Sequence, residues 1–175
     1  CEKERLAQIP YSISDTKWSI LPNVPSFSDT SFLEKKDDDA FDNDLLTFSY
    51  VGGFTQRCLE PIIKLACKGY INLKIAGFGD SNVEKILDDA KECKTIKFYG
   101  KVPYQHGLNI MYNSDIIYAM YSTKNPNNIF AAPNKYYEAM FLGKPLLSTK
   151  GTILENKILA NNIGFISGEL EEERR

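Results

Sequence analysis

The sequence predicts an α/β domain built on a doubly wound, Rossmann-like parallel sheet of six strands. Three observations carry that prediction. From Leu45 onward, short apolar runs alternate with stretches of helical period, the pattern of βαβ units. Glycine, proline and asparagine fall at the junctions, where turns need special backbone angles or a missing N–H. Parallel strands joined by helices cross over right-handed, and six of them favour the spatial order 3-2-1-4-5-6.

In chain order, the strands are expected at Leu46 to Val51, Asn72 to Ala76, Thr95 to Tyr99, Asp115 to Ala119, Pro145 to Ser148 and Gly164 to Ile166. The first helix carries Leu59, Ile62, Ile63 and Ala66 on one face. Pro61 is tolerated there if the helix starts near Cys58, because first-turn amides have no internal partner. The second opens on Ser81-Asn82-Val83-Glu84, a capping-box pattern with Ser81 as the cap, and presents Val83, Ile86, Leu87 and Ala90 on one face. The third follows Pro103, the fourth follows Pro133 and ends at Gly143, and the fifth spans Ile153 to Ala160.

A chain of 175 residues with 43% hydrophobic and 25% charged residues suits one globular core. Its 21 basic and 23 acidic side chains nearly cancel, and no basic run interleaves with aromatics. Charge therefore points to no nucleic-acid or membrane-surface partner, and the partner is expected to be small. No apolar run approaches the roughly 18 residues of a membrane span, and the opening residues lack the apolar region of a signal peptide. Cys1, Cys58, Cys67 and Cys93 form no Cys-x-x-Cys pair and have no histidine cluster, which argues against a zinc site or a disulfide framework and for a reduced, cytoplasmic setting.

Residues 1–45 differ from the rest. They hold one strand candidate, Trp18-Ser19-Ile20-Leu21, then Pro22, Pro25 and the charge run Glu34 to Asp39, and read as an interdomain connection. Residues 46–166 form the predicted domain, and 167–175 an acidic tail. Both ends are expected to be cuts in a longer protein.

In a doubly wound sheet, ligands bind beyond the carboxyl ends of the strands where the order reverses, here between the first and fourth. Two loops meet there: Gly52-Gly53-Phe54-Thr55-Gln56-Arg57, and the long connection Met120 to Ala132. Arg57 and Lys135 are both cations at or before the first turn of a helix, where the dipole disfavours positive charge by roughly 0.3–1 kcal/mol. Two such termini with free amides and a cation each would make a diphosphate clamp. The bland alternatives are solvated side chains, or an ion pair between Lys135 and Glu138 three residues on. Glu138 lies in a nearly uncharged stretch, where a carboxylate could accept both hydroxyls of a ribose. Asn134 is expected mainly as a helix cap. Gly77-Phe78-Gly79 follows the second strand and lacks the third glycine of a dinucleotide fingerprint, so it is expected only to let the chain turn close to a ligand. His106 has no partner pattern for nucleophilic catalysis, and the tyrosines, Tyr121 among them, are expected in core packing and site walls.

The ordered series Tyr50-Val51-Gly52-Gly53, Ile75-Ala76-Gly77-Phe78-Gly79, Phe98-Tyr99-Gly100-Lys101-Val102-Pro103, Ser114-Asp115, Pro133 to Met140 and Gly143-Lys144-Pro145 resembles the C-terminal, donor-binding half of GT-B fold glycosyltransferases of the group-1, or family 4, type. The resemblance covers roughly Leu46 to Ile166 and implies that residues 1–45 include the tail of an absent acceptor domain. It implies a retaining transfer of a sugar from a nucleotide diphosphate sugar to an acceptor glycan or lipid-linked glycan, with no cofactor and no metal. A tie of the parent protein to the cytoplasmic face of a membrane, in polysaccharide synthesis, would follow family habit.

Residue by residue, the resemblance assigns Glu138 to the donor ribose and Arg57 to phosphate, with Lys135 a second basic candidate. It implies donor contacts from Gly53 and Gly79, from Lys101 and Val102 around the base, and from Phe130, Ala131 and Asn134. Phe130 stands where the family's Glu-x7-Glu motif has its first glutamate, so backbone amides from Asn128 to Ala132 would have to replace that contact to the sugar. The run Asp37-Asp38-Asp39 is read as a solvated linker rather than a metal-binding Asp-x-Asp. The chain alone is expected to bind without turnover. The rival readings are a non-catalytic nucleotide-binding module, for which Phe130 speaks, and a sugar-nucleotide epimerase on a similar fold.

Overall fold

Among the described residues, the alternation of apolar runs and helical faces resolves into six strands and five nine-residue helices, with one further single turn of helix. The computed structural model describes Val24, Pro25, residues 30–34, Phe41, residues 44–130 and residues 134–168. The strand candidate Trp18 to Leu21, the Asp37 to Asp39 run, Ala131 to Pro133 and residues 169–175 lie outside the described residues. The strands are β1 (Thr47–Gly53), β2 (Asn72–Phe78), β3 (Ile96–Phe98), β4 (Ile116–Ala119), β5 (Leu146–Thr149) and β6 (Gly164–Ser167). The helices are α1 (Leu59–Cys67), α2 (Ser81–Asp89), α3 (Tyr104–Tyr112), the single turn α4 (Pro126–Ile129), α5 (Asn134–Leu142) and α6 (Ile153–Asn161). Every strand pair is parallel and the order is β3-β2-β1-β4-β5-β6, as the crossover rule predicts.

Strand alternation divides the core between the two faces of the sheet. In β4 and just beyond it, Tyr118 and Met120 point to one face and Ile117, Ala119 and Tyr121 to the other. The first face is covered by α1, through Leu59, Ile62, Ile63 and Ala66, and by α2, through Val83 and Leu87. The second is covered by α3, α5 and α6, through Leu108, Met111, Ala139, Leu142, Leu154 and Ile158. Leu59, Ile62 and Ile63 are each almost wholly buried, which contributes about 1.5–3 kcal/mol of transfer free energy apiece. Pro61 is the third residue of α1, inside the turn whose amides have no helical acceptor. Gly143, φ +63°, closes α5 as expected.

Three local expectations need correction. Strands β1 and β2 run on to Gly53 and Phe78, past the expected Val51 and Ala76, because Gly52 pairs with Gly77. A Cβ on Gly77, φ +152°, would lie 1.8 Å from the carbonyl oxygen of Gly52. Gly77 thus serves the close approach of two strands, and the chain turns after Phe78, at Gly79, φ +101°. Second, the cap of α2 is Asp80, not Ser81: its carboxylate accepts from the amides of Asn82 and Val83, at 3.1 and 3.3 Å. Glu84 reaches back past the cap to the Gly79 amide at 3.0 Å, so it satisfies a second amide without forming the reciprocal box the sequence suggests. Third, the connection after β4 is not all loop, since α4 begins on Asn125, whose side chain accepts from the Asn127 amide, with Pro126 at the first helical position. Among the described residues, no helix is long and apolar enough to cross a membrane.

Candidate functional site

The neighbouring carboxyl ends of β1 and β4 mark the reversal of strand order, and Arg57 sits over them. It is flanked by Gln56 and Cys58, two non-glycine residues with φ of 57° and 50°. Such conformations cost of order 1 kcal/mol each and hold only where the surroundings fix them. The surroundings do: the Tyr118 hydroxyl donates to the Cys58 carbonyl, and the Ser122 amide donates to the Gln56 carbonyl at 3.2 Å. The half-buried guanidinium lies 4.5 Å from the ring centroid of Tyr121, donates to Asn128 Oδ1 at 3.2 Å and lies close enough to Tyr50 for its charge to act on that phenol. Tyr50 belongs to one face of the sheet and Tyr121 to the other, so Arg57 straddles the sheet edge.

Asn128, 8% exposed, stitches the two loops together. Besides accepting from Arg57, it donates to the Ser122 carbonyl at 2.9 Å and faces Gln56 Oε1, which also accepts from Asn125 at 2.6 Å. Among the described residues, every group that holds Arg57 is neutral, and no carboxylate pairs with it.

Lys135 and Glu138 resolve the alternatives the sequence leaves open. Lys135 Nζ lies 2.6 Å from Glu138 Oε2, with the two side chains 15% and 3% exposed. The ion pair is therefore made, and it is buried rather than solvated. Glu138 also lies close enough to Tyr121 for its charge to act on the phenol. Burial first, then Glu138, push the Tyr121 hydroxyl up to about 12, against the opposing pull of Arg57. Arg57 and Glu138 thus both act on Tyr121, and Lys135 joins them only through its pair with Glu138. Asn134 is the first residue of α5.

The remaining expected contacts spread along the same edge toward β3. A Cβ at Gly53, Gly79 or Gly100 would meet no atom within 4 Å, so the backbone there faces open space. The Gly100 carbonyl accepts from the Gly77 amide at 2.8 Å, and Thr55 Oγ1 donates to the Gly79 carbonyl at 2.9 Å. Lys101 extends over the exposed ring of Phe78, 5.0 Å from its centroid, and Val102 packs near Gly107 and Val51. Gly79 and Lys101 lie on the β2–β3 side of the edge, apart from the Arg57 cluster, whereas Gly53 ends β1 and its carbonyl accepts from the Tyr50 hydroxyl. Phe130 ends α4 half-buried, and Ala131 lies outside the described residues. His106 is exposed and stacks edge-on against Tyr99. A cavity of about 500 Å³ lined by Met140, Lys144, Ile163 and Phe165 opens at the opposite end of β5 and β6, away from this edge.

The sequence reading names Tyr121 only as a core or site-wall residue and Asn128 only for its backbone amide, and it gives Tyr50 no site role. Tyr121 could have been found from its position two residues beyond β4 at the strand reversal. Asn128 has no such signal, because its partner Arg57 is 71 residues away.

No protein-family model and no curated protein matches the sequence. Among solved structures, the chain is similar to WaaG, a glycosyltransferase involved in lipopolysaccharide biosynthesis (TM-score 0.59, 14% identity, 88% of this chain and 44% of that one). It is also similar to AviGT4, a glycosyltransferase involved in avilamycin A biosynthesis (TM-score 0.52, 17% identity, 83% and 40%). A third is S. aureus TarM, in a complex with Fondaparinux, alpha-GlcNAc-glycerol and UDP (TM-score 0.51, 12% identity, 79% and 28%). The domain has the Rossmann-like fold of one half of a GT-B glycosyltransferase. The chain spans less than half the length of each of these structures.

Proposed function

We propose that residues 46–166 bind the nucleotide diphosphate of a sugar donor, as the donor half of a retaining glycosyltransferase. The observation that carries this reading is Arg57: a guanidinium fixed at the strand reversal by two buried tyrosines and Asn128, with no described carboxylate to neutralise it. An anion at the edge is the partner such a cation lacks, and a diphosphate also suits the open backbone at Gly53 and Gly79. Glu138, held by Lys135 through Oε2, is the proposed ribose acceptor, and Lys101 and Val102 frame the base. In the parent protein, residues 1–45 would lead from an acceptor-binding domain, and transfer would go to a glycan or lipid-linked glycan.

The chemistry assigned to this half is stabilisation of the charge that grows on the departing diphosphate, a task for fixed donors rather than an acid and base pair. Phe130, where a glutamate would meet the sugar, favours a second reading in which donor binding survives without turnover.

Calorimetric titration with uridine diphosphate, guanosine diphosphate and their free nucleosides tests the proposal. Arg57→Ala removes one charge-assisted contact of about 1.5–3 kcal/mol, so diphosphate affinity is expected to fall roughly 10- to 100-fold while nucleoside affinity stays put. Equal, small losses for both ligands would overturn the phosphate role, and binding of neither diphosphate by the unaltered chain would overturn the donor reading.

A further inference from the structure

Cys67 ends α1 and Cys93 lies between α2 and β3, 26 residues later, yet their sulfurs are 3.1 Å apart. The backbone on both sides holds them there. Thr95 Oγ1 donates to the Ala66 carbonyl at 2.6 Å, the Cys93 amide donates to Ala90 at 2.9 Å, and the Cys93 carbonyl accepts from Ile96 at 3.0 Å. Cys67 is exposed and Cys93 half-buried, so a small oxidant reaches the pair from solvent.

We propose that Cys67 and Cys93 form an oxidation site that closes to an intramolecular disulfide. An S–S bond needs the sulfurs to approach by about a further 1 Å, within the play of two side chains. With hydrogen peroxide as oxidant, one thiolate attacks a peroxide oxygen, giving a sulfenic acid and releasing water. The second thiolate then attacks that sulfur and displaces a second water. In sum, two thiols and one peroxide yield one disulfide and two waters. Loss of hydration, then the hydrogen bond shared with Cys93, push the Cys67 thiol up to about 11, so closure is slow at neutral pH and quickens as pH rises. The cross-link ties the end of α1 to the start of β3 at the edge of the sheet opposite Arg57. It leaves the proposed donor site untouched.

The test is peroxide treatment of the intact chain, alkylation of the remaining thiols and peptide mass spectrometry. The expected result is a peptide pair linking Cys67 to Cys93, with two of the four thiols still alkylated, reversal by a thiol reductant, and a rise in Tm of roughly 5–10 °C. Cys67→Ser and Cys93→Ser should each abolish the link and the Tm rise while leaving the reduced protein's Tm unchanged. The proposal is overturned if both thiols remain alkylatable after oxidation elsewhere, or if Cys67 stops at a sulfinic acid beside a free Cys93. Nucleotide titration of the oxidised chain reads the donor site separately.

Discussion

Replacing Lys135 with methionine would strip the ammonium from Glu138 while keeping most of the side-chain volume. On an exposed helix, a pair at this spacing is worth about 0.2–0.5 kcal/mol, and its loss would be near the limit of detection. Here the carboxylate is 3% exposed and its partner 15%, at 2.6 Å. Removing one member of a buried pair leaves an uncompensated charge, at a cost of about 3–5 kcal/mol. The partial exposure of the lysine lets water reach the vacated space, so the lower end applies. A loss of about 3 kcal/mol corresponds to a Tm fall of roughly 6–12 °C for a chain of this size. Adding Glu138→Gln to Lys135→Met should recover much of that loss, because an amide is cheaper to bury than a bare carboxylate. Urea unfolding of the four proteins, followed by far-UV circular dichroism, gives the coupling energy, expected at about 2 kcal/mol. A coupling below about 0.5 kcal/mol would mean that water reaches the pair freely, and would refute a preformed, buried Glu138.

Gly77→Ala should cost more than about 3 kcal/mol, because its Cβ would meet the Gly52 carbonyl at 1.8 Å and backbone cannot step aside; Gly53→Ala, which meets nothing within 4 Å, should change Tm far less. Similar thermal melts for the two variants would contradict the close strand approach. Burial raises the hydroxyls of Tyr50, Tyr118 and Tyr121, the last up to about 12, so each keeps its proton in the folded state where an unfolded tyrosine near 10 has lost it. Their contribution is fully present below about pH 10 and is lost as pH rises through the folded values, so stability should be level from pH 7 to 9 and decline above 10. Reversible ionisation of all the tyrosines near pH 10, with the fold intact by circular dichroism, would contradict this.

The strand order was legible because it follows from few inputs: six short runs, helices between them, and one allowed handedness. Arg57 was legible for a related reason, since a cation before a helix is locally unfavourable and so stands out without any knowledge of its neighbours. Local reasoning failed where two residues satisfied the same rule. Asp80 and Ser81 both suit a capping position, and Glu84 lies within reach of either arrangement, so the pattern alone could not choose. It also failed where the cause was distant. Nothing near Gly77 announces Gly52 as its neighbour, nothing near Cys67 announces Cys93, and the buried tyrosines that hold Arg57 look like any core aromatics until both faces of the sheet are assembled.

The two cations that seemed equivalent in the sequence are not equivalent in the fold. Each needed an anion to offset its place near a helix start, and Lys135 finds one in Glu138, within its own helix. Its Nζ retains further donors beyond the one engaged, but any phosphate it approached would share it with a carboxylate already 2.6 Å away. Among the described residues, Arg57 meets only dipoles and aromatic rings. On that proposal the clamp becomes a division of labour, with Arg57 taking the diphosphate charge and Lys135 holding the buried Glu138 side chain in place to meet the ribose hydroxyls. If so, Arg57→Ala should act on the diphosphate alone. Lys135→Met should also act on whatever Glu138 grips, and so weaken nucleoside and nucleotide together.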